Sequence, residues 1–265
     1  SKAKSLTITK ISKFQVCLLA LVIHCSNMRR DKKSRGFGYF LAEIFILILG
    51  ISASFALNEW RINRQDRKQE KELLQHFKEN LAVDSLVISS GLKQLKTQVK
   101  HGQKLLMDNG SLELDSLVAY SVSLLNYVPF NTNDITYQQM KSTGSAGLIK
   151  NDTLANQLIG LYENGFEILT TWTLIDSEHV RLKMIPHVEE NFPFALGLQY
   201  GTAENSVQRE FVRQVKSDQF SHLIQFGISY KGSTAYIFEK VLQEIRETIS
   251  MIDDELSTSQ KASDR

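Results

Sequence analysis

Residues 37–57 read FGYFLAEIFILILGISASFAL, and the reading of this run decides what kind of chain carries it. It holds one charge, Glu43, against twelve Leu, Ile or Phe side chains. At ~1.5 Å per residue it makes a helix of roughly 31 Å, about the thickness of bilayer hydrocarbon. The large apolar residues contribute roughly −4 to −7 kcal/mol on an insertion scale, whereas a charge at the centre costs about +3. Glu43 lies off-centre, so insertion wins. A core helix of a soluble fold rarely runs this far without polar interruption. Tyr39 at one end and Trp60 at the other stand where interfacial anchors stand.

A wheel drawn from Glu43 places Gly50, Ser54 and Arg61 within about 20° of it. Gly50 and Ser54 make a small-xxx-small pair, which lets two helices approach closely. One reading of the stripe Glu43, Gly50 and Ser54 is self-association, with Glu43 hydrogen-bonded across the interface. The other is that Glu43 snorkels to the headgroups and Gly50 is incidental. Arg29, Arg30, Lys32, Lys33 and Arg35 precede the run, and Arg61, Arg64, Arg67, Lys68 and Lys71 follow it. The basic residues are balanced. A short basic tail is hard to translocate and a long domain crosses regardless of charge. The expectation is therefore an inside N-terminus, with the C-terminal domain periplasmic or extracellular.

Outward from the run, residues 14–25, FQVCLLALVIHC, are apolar but too short to span. No small-residue cleavage site comes after them. Residues 1–36 read as a basic N-terminal segment, in which Met28 is offered as the natural start and residues 1–27 as an over-extended reading frame. The formal charge of +2 and the scattered Lys and Arg give no case for nucleic acid. Cys17 and Cys25 are the only cysteines, so the domain after the run has neither disulfide nor thiol chemistry.

That domain, residues 58–256, reads as all-α. A charged stalk leads into the stripe Leu74, Phe77, Leu81, Ile88, Leu92, Leu95, Val99 and Leu106, an amphipathic helix. Asp84 and Gly91 fall on its seam, which argues for bundle packing over a strict two-stranded coiled coil. Asp108-Asn109-Gly110 is a turn. Leu114 to Tyr127 comes next as a helix, and Asp134 caps a short one ending at Gly144. Asn151 caps a long helix with one row at Leu154, Leu161, Ile168, Ile175 and Leu182, and a second at Leu158, Gly165, Trp172 and His179. Pro186 should end or kink it. Asn191 to Gly201 is a loop, helix returns over Ala203–Lys216, and a last helix carries Phe238 to Leu256. The tail 257–265 is polar and expected to fray. With no period-two run, the architecture is a transmembrane helix continuing into an antiparallel helical bundle.

Two passages form a pattern. AEIFILILGISASFALNEWRINRQDRKQEKELL, residues 42–74, ends its apolar run in Asn-x-Trp before a charged helix. YQQMKSTGSAGLIKNDTLANQLIGLY, residues 137–162, carries Tyr-x-x-Met-Lys-Ser-x-Gly and then Leu-Ile-Lys-Asn. In this order, over roughly residues 30–255, the chain resembles an uncharacterised family of bacterial single-span membrane proteins, domain of unknown function six-zero-nine-zero. The resemblance implies an anchor in the bacterial inner (plasma) membrane and a helical domain. It implies no activity and no catalytic residues. Read physically, the second passage is a structural corner. Tyr137 sits with Met140 on one helix face, Gly144 is a left-handed cap, and Asn151 starts the next helix. Lys141 and Lys150 are its candidates for a ligand carboxylate or phosphate.

Chemistry is sparse elsewhere. His179 stands near Trp172 on the apolar row, with Glu178, His187 and Glu190 close in sequence. No HExxH or paired ExxH accompanies them, so a core histidine is the simpler reading. GxSxG and a Gly-rich loop ending in Lys-Ser/Thr are both missing. Glu189-Glu190 and Asp253-Asp254 are adjacent pairs that diverge on a helix. No metal, cofactor or enzyme activity is expected. The favoured function is a membrane-anchored interaction or scaffold module whose partners are the lipid bilayer, a second copy and an unidentified protein. The alternative is a sensory module binding a small molecule beside Trp172 and His179.

Overall fold

A computed structural model describes residues 37–108, 110–193, 198 and 201–263, with backbone alone at 37–39, 42 and 259–263. The expected leader, with Met28, lies outside these residues, as do Asn109 and the Tyr39 side chain. Among the described residues the regular elements are all helical, with no strand. They are α1 (Phe37–Leu106), α2 (Leu114–Leu124), α3 (Ile135–Thr143), α4 (Asp152–Gly160), α5 (Phe166–His179), α6 (Ile185–Asn191), α7 (Asn205–Val215) and α8 (Asp218–Ser263). The chain divides into two units, Ser1–Arg61 and Ile62–Arg265.

In the first unit the described residues belong to α1. Phe40, Phe45, Ile46, Leu49, Phe55 and Trp60 are all exposed. Glu43 is exposed as well. The Ser54 hydroxyl donates to the Gly50 carbonyl at 2.9 Å, so it is satisfied within its own helix.

In the second unit α1 buries Glu70, Leu74, Phe77, Leu81, Asp84, Ile88, Gly91, Leu95, Gln98, Gly102 and Leu105. The steps alternate between four and three, an average of ~3.5 that keeps one seam inward over a long helix. The seam thus runs unbroken through Asp84 and Gly91. A Cβ on Gly91 would lie 2.7 Å from Val128 Cγ1 and 2.8 Å from Phe238 Cε1, so hydrogen is the only substituent that fits. Leu105, and not Leu106, closes the seam.

Helix α8 repeats the pattern with Phe220, Ile224, Gly227, Lys231, Thr234, Phe238, Val241, Ile245, Thr248 and Ile252. Lys78 donates to Asp253 at 2.5 Å and Lys96 pairs with Glu239, which makes α1 and α8 antiparallel. Asp176 meets Lys231, and the Trp172 carbonyl accepts from Thr234, so α5 is antiparallel to α8.

Residues 152–191 form one helical run with two π turns, Leu161–Gly165 and Val180–Met184. Each π turn admits one extra residue and rotates the helix beyond it. Leu154, Leu158 and Leu161 are buried as the heptad rows require. Beyond the first π turn the buried positions become Phe166, Leu169, Thr173, Asp176 and Val180, each one residue later than expected. Ile168 and Leu182 are exposed and Gly165, Trp172 and Ile175 are half-buried, so of the expected row positions from Gly165 onward His179 alone is buried. Pro186 does not end the run. It comes after the second π turn at the start of α6, and the helix continues to Asn191.

Other boundaries also move. Helix α2 stops at Leu124, and the Asn126 carbonyl leaves the helical path to accept from Lys231 and Gln98. Asp134 occupies the N-cap position of α3 without a side-chain cap bond; its carboxylate accepts from Gln138 instead. The expected frayed tail is helical to Ser263.

Candidate functional site

The corner expected from residues 137–151 is built from local signals. Helix α3 ends on Gly144 at φ 66°, a left-handed position that suits glycine. A 3-10 turn, Ser145–Leu148, comes next, and Ile149 is buried. The Lys150 backbone N–H donates to the buried Glu70 carboxylate at 2.6 Å. Asn151 Oδ1 accepts from Leu154 N at 3.2 Å and so caps α4. Its amide also donates to Glu255 at 3.2 Å. Replacing Asn151 by Ala removes the cap and is expected to cost about 1 kcal/mol, read as a lower midpoint in denaturant with an unchanged slope.

Tyr137 stacks on Tyr162 with ring centroids 4.7 Å apart and 5° between planes. Its hydroxyl donates to Glu163 at 2.5 Å, and Lys141 reaches the same oxygen at 2.7 Å. Lys141, then the Tyr137 hydroxyl, hold Glu163 below the usual carboxylate range. Burial, followed by Glu163, pushes the Tyr137 phenol up to about 12. Lys141 therefore spends its charge inside the corner, and the Lys150 side chain is exposed.

Behind the corner Asp84 is buried. It accepts from Thr132 Oγ1 at 3.1 Å and from Asn133 N at 3.1 Å, which fastens the extended segment after α2 to α1. Burial pushes its carboxyl up, and these donors oppose the rise. In the sequence Asp84 looks like a break in an apolar stripe. Its role as a clamp depends on residues almost fifty positions away.

The second polar centre was not anticipated. Lys231 and Asp176 are 0% and 1% exposed, which places a full ion pair inside the unit. Lys231 Nζ donates to both Asp176 oxygens at 3.0 Å and to the Asn126 carbonyl at 2.8 Å. Burial drives the Asp176 carboxyl up and the Lys231 ammonium down, and their mutual attraction offsets this only in part. Desolvation thus outweighs pairing, as it commonly does for ions taken fully out of water.

His179 stands beside this pair. Its Nε2 lies 3.0 Å from the Leu223 carbonyl, which can only accept, so Nε2 carries the proton. Its ring meets Tyr230 edge-on at 5.2 Å. Burial lowers its pKa; the bond to Leu223 and the charge of Asp176 pull the other way. The unfolded histidine takes up a proton as pH falls through about 6.5, while the folded one stays neutral to lower pH. The contribution of His179 is complete above about 6.5 and declines below it, by at most about 1.4 kcal/mol per pH unit. The expected result is a lower Tm at pH 5.5 than at 7.5, with a smaller difference in His179→Asn.

Trp172 and His179, the pair named in the alternative small-molecule reading, line neither of two surface grooves in this unit. One, of about 560 Å³, is bordered by Leu114, Gln208, Arg209 and Arg213 among others. The other, of about 370 Å³, is bordered by Ser90, Lys93, Gln98 and Asn126 among others. Among the described residues no group of three or more His, Cys, Asp or Glu is placed to hold a metal ion.

Comparison with family models, curated proteins and solved structures finds no match. The class is defined by the fold alone: among the described residues the protein is all-α, with one helix long and apolar enough to cross a membrane.

Proposed function

We propose that the chain is a single-pass membrane protein that presents a helical domain to protein partners and associates with itself. The observation that carries this reading is the exposure of the apolar stretch of α1. An 18-residue window there has a mean hydropathy of 1.4, and none of it is buried. Phe55 alone is 71% exposed. Apolar area left in water forgoes about 25 cal/mol per Å². A soluble fold would cover such a surface, and hydrocarbon covers it without any further protein element. The second unit carries apolar clusters of its own, so it folds around itself and leaves its outer helical faces for partners. In this reading the N-terminus is cytoplasmic, the helical bundle lies on the far side of a bacterial inner membrane, and the single-span family is the chain's own. Gly50 and Glu43 form its self-contact within the bilayer.

Ultracentrifugation of the full chain from lysed cells tests the anchor. The chain is expected in the pellet after alkaline carbonate washing, and in the supernatant only with detergent. Recovery in the carbonate supernatant would overturn the anchor, its topology and the self-contact together.

A further inference from the structure

The buried polar groups of the second unit are not scattered. Of the twelve buried polar or charged residues among those described, seven fall between the two apolar clusters along their helices: Gln98 on α1, Thr173, Asp176, Ser177 and His179 on α5, and Lys231 and Thr234 on α8. Bonds tie this layer together across four segments. Gln98 Nε2 on α1 donates to the Asn126 carbonyl after α2 at 3.2 Å. Lys231 on α8 donates to that carbonyl and to Asp176 on α5. Thr234 on α8 donates to the Trp172 carbonyl at 3.2 Å. Gln98 Oε1 is buried without a hydrogen-bond partner among the described residues.

On either side of the layer the core is apolar, and it falls into two clusters that are separate in contact. One holds Phe77, Leu81, Ile88, Phe166 and Phe238. The other holds Leu117, Val180, Phe211, Val215 and Phe220. The π turn Val180–Met184 begins immediately beyond the layer. Continuous apolar packing makes a core open as one body, because every removed side chain strips contacts from its neighbours. A layer of polar groups bonded to one another interrupts that transmission: its members gain water as they lose one another, so parting there costs less than parting within either cluster. The π turn Val180–Met184 is a place where a helix kinks, so bending is eased there.

We propose that the second unit is a two-stage device in which the half holding Phe211 and Phe220 opens about the polar layer while the half holding Phe77 and Phe238 stays folded. Opening uncovers Leu117, Phe211, Val215 and Phe220, an apolar surface that is closed off at rest. The device does not depend on the membrane anchor, and its test is independent of that reading.

Native-state hydrogen exchange on the full chain in detergent micelles separates the two stages. Amides of α2 and α7 are expected to exchange about tenfold faster or more than those of α1 between Leu74 and Leu95. The signature lies in two variants. Phe77→Ala destabilises the closed and half-open forms alike, so it speeds exchange in α1 and leaves α7 unchanged. Phe220→Ala destabilises only the closed form, so it speeds both. Replacing the layer pair, Asp176→Leu with Lys231→Met, joins the two clusters and slows α7 toward the α1 rate. Equal protection throughout the wild-type unit, or an equal rise in α7 and α1 in Phe77→Ala, overturns the proposal.

Discussion

Lys231→Ala is expected to lower the stability of the helical domain by about 3–5 kcal/mol, enough to unfold a marginally stable domain at physiological temperature. The reason is the charge left behind. Asp176 is 1% exposed, and its carboxylate would keep neither of the bonds it now receives from Lys231. The Asn126 carbonyl would also lose its 2.8 Å donor. Removing both ions together reverses the sign of the argument. Asp176→Leu with Lys231→Met eliminates two desolvation penalties and keeps the volume filled, so the double variant is expected to match or exceed the wild type. Chemical denaturation of the wild type, both single variants and the double variant forms a cycle that checks this. A Lys231→Ala variant within about 0.5 kcal/mol of the wild type would show that water reaches the pair.

Phe238→Ala is the second large effect, at about 3–5 kcal/mol. Phe238 is fully buried and meets Phe130 edge-on at 6.3 Å, in the middle of the seam between α1 and α8. It also lies against Gly91, and a methyl group there would sit 2.8 Å from Phe238 Cε1. Gly91→Ala alone is therefore expected to cost about 1–3 kcal/mol by overpacking, less about 1 kcal/mol recovered from helix propensity. The two changes are coupled. A methyl on residue 91 fills part of the space that Phe238→Ala opens, so the combined loss should fall short of the sum of the single losses. Strict additivity in denaturant midpoints would mean that the two side chains do not share the site.

The sequence revealed the helices more fully than it revealed their faces. The seam of α1, the Gly144 cap, the Asn151 cap and the helical class all rest on local signals: periodicity, a glycine at a turn, an Asx residue before an apolar run. The rows beyond Leu161 misled because a π turn leaves no mark in composition. Leu161–Gly165 reads as ordinary helix, yet its one added residue carries Ile168 outward and Leu169 inward. Lys231 and Asp176 escaped for a different reason. A lysine and an aspartate on amphipathic helices are normally solvated, and only a partner 55 residues away makes their burial tolerable. One clue was present. Lys231 falls four residues after Gly227 and seven before Phe238, which puts it in step with the α8 seam. The simpler reading of His179, a core histidine, holds: it is buried and bonds a backbone carbonyl, whereas the displaced phase takes Trp172 off the buried face.

The pairing of α1 with α8 carries a consequence for biosynthesis. Lys78 and Asp253 are 175 residues apart, and Lys96 and Glu239 are 143 apart. A ribosome adding ~5–20 residues per second needs roughly 7–35 s to travel between such partners. Until synthesis reaches α8 at Asp218, Leu74, Phe77, Leu81 and Ile88 lack the helix that pairs with their seam. The nascent chain therefore offers chaperones a long greasy edge, and a ribosome stalled before Asp218 leaves a product that quality-control proteases can cut.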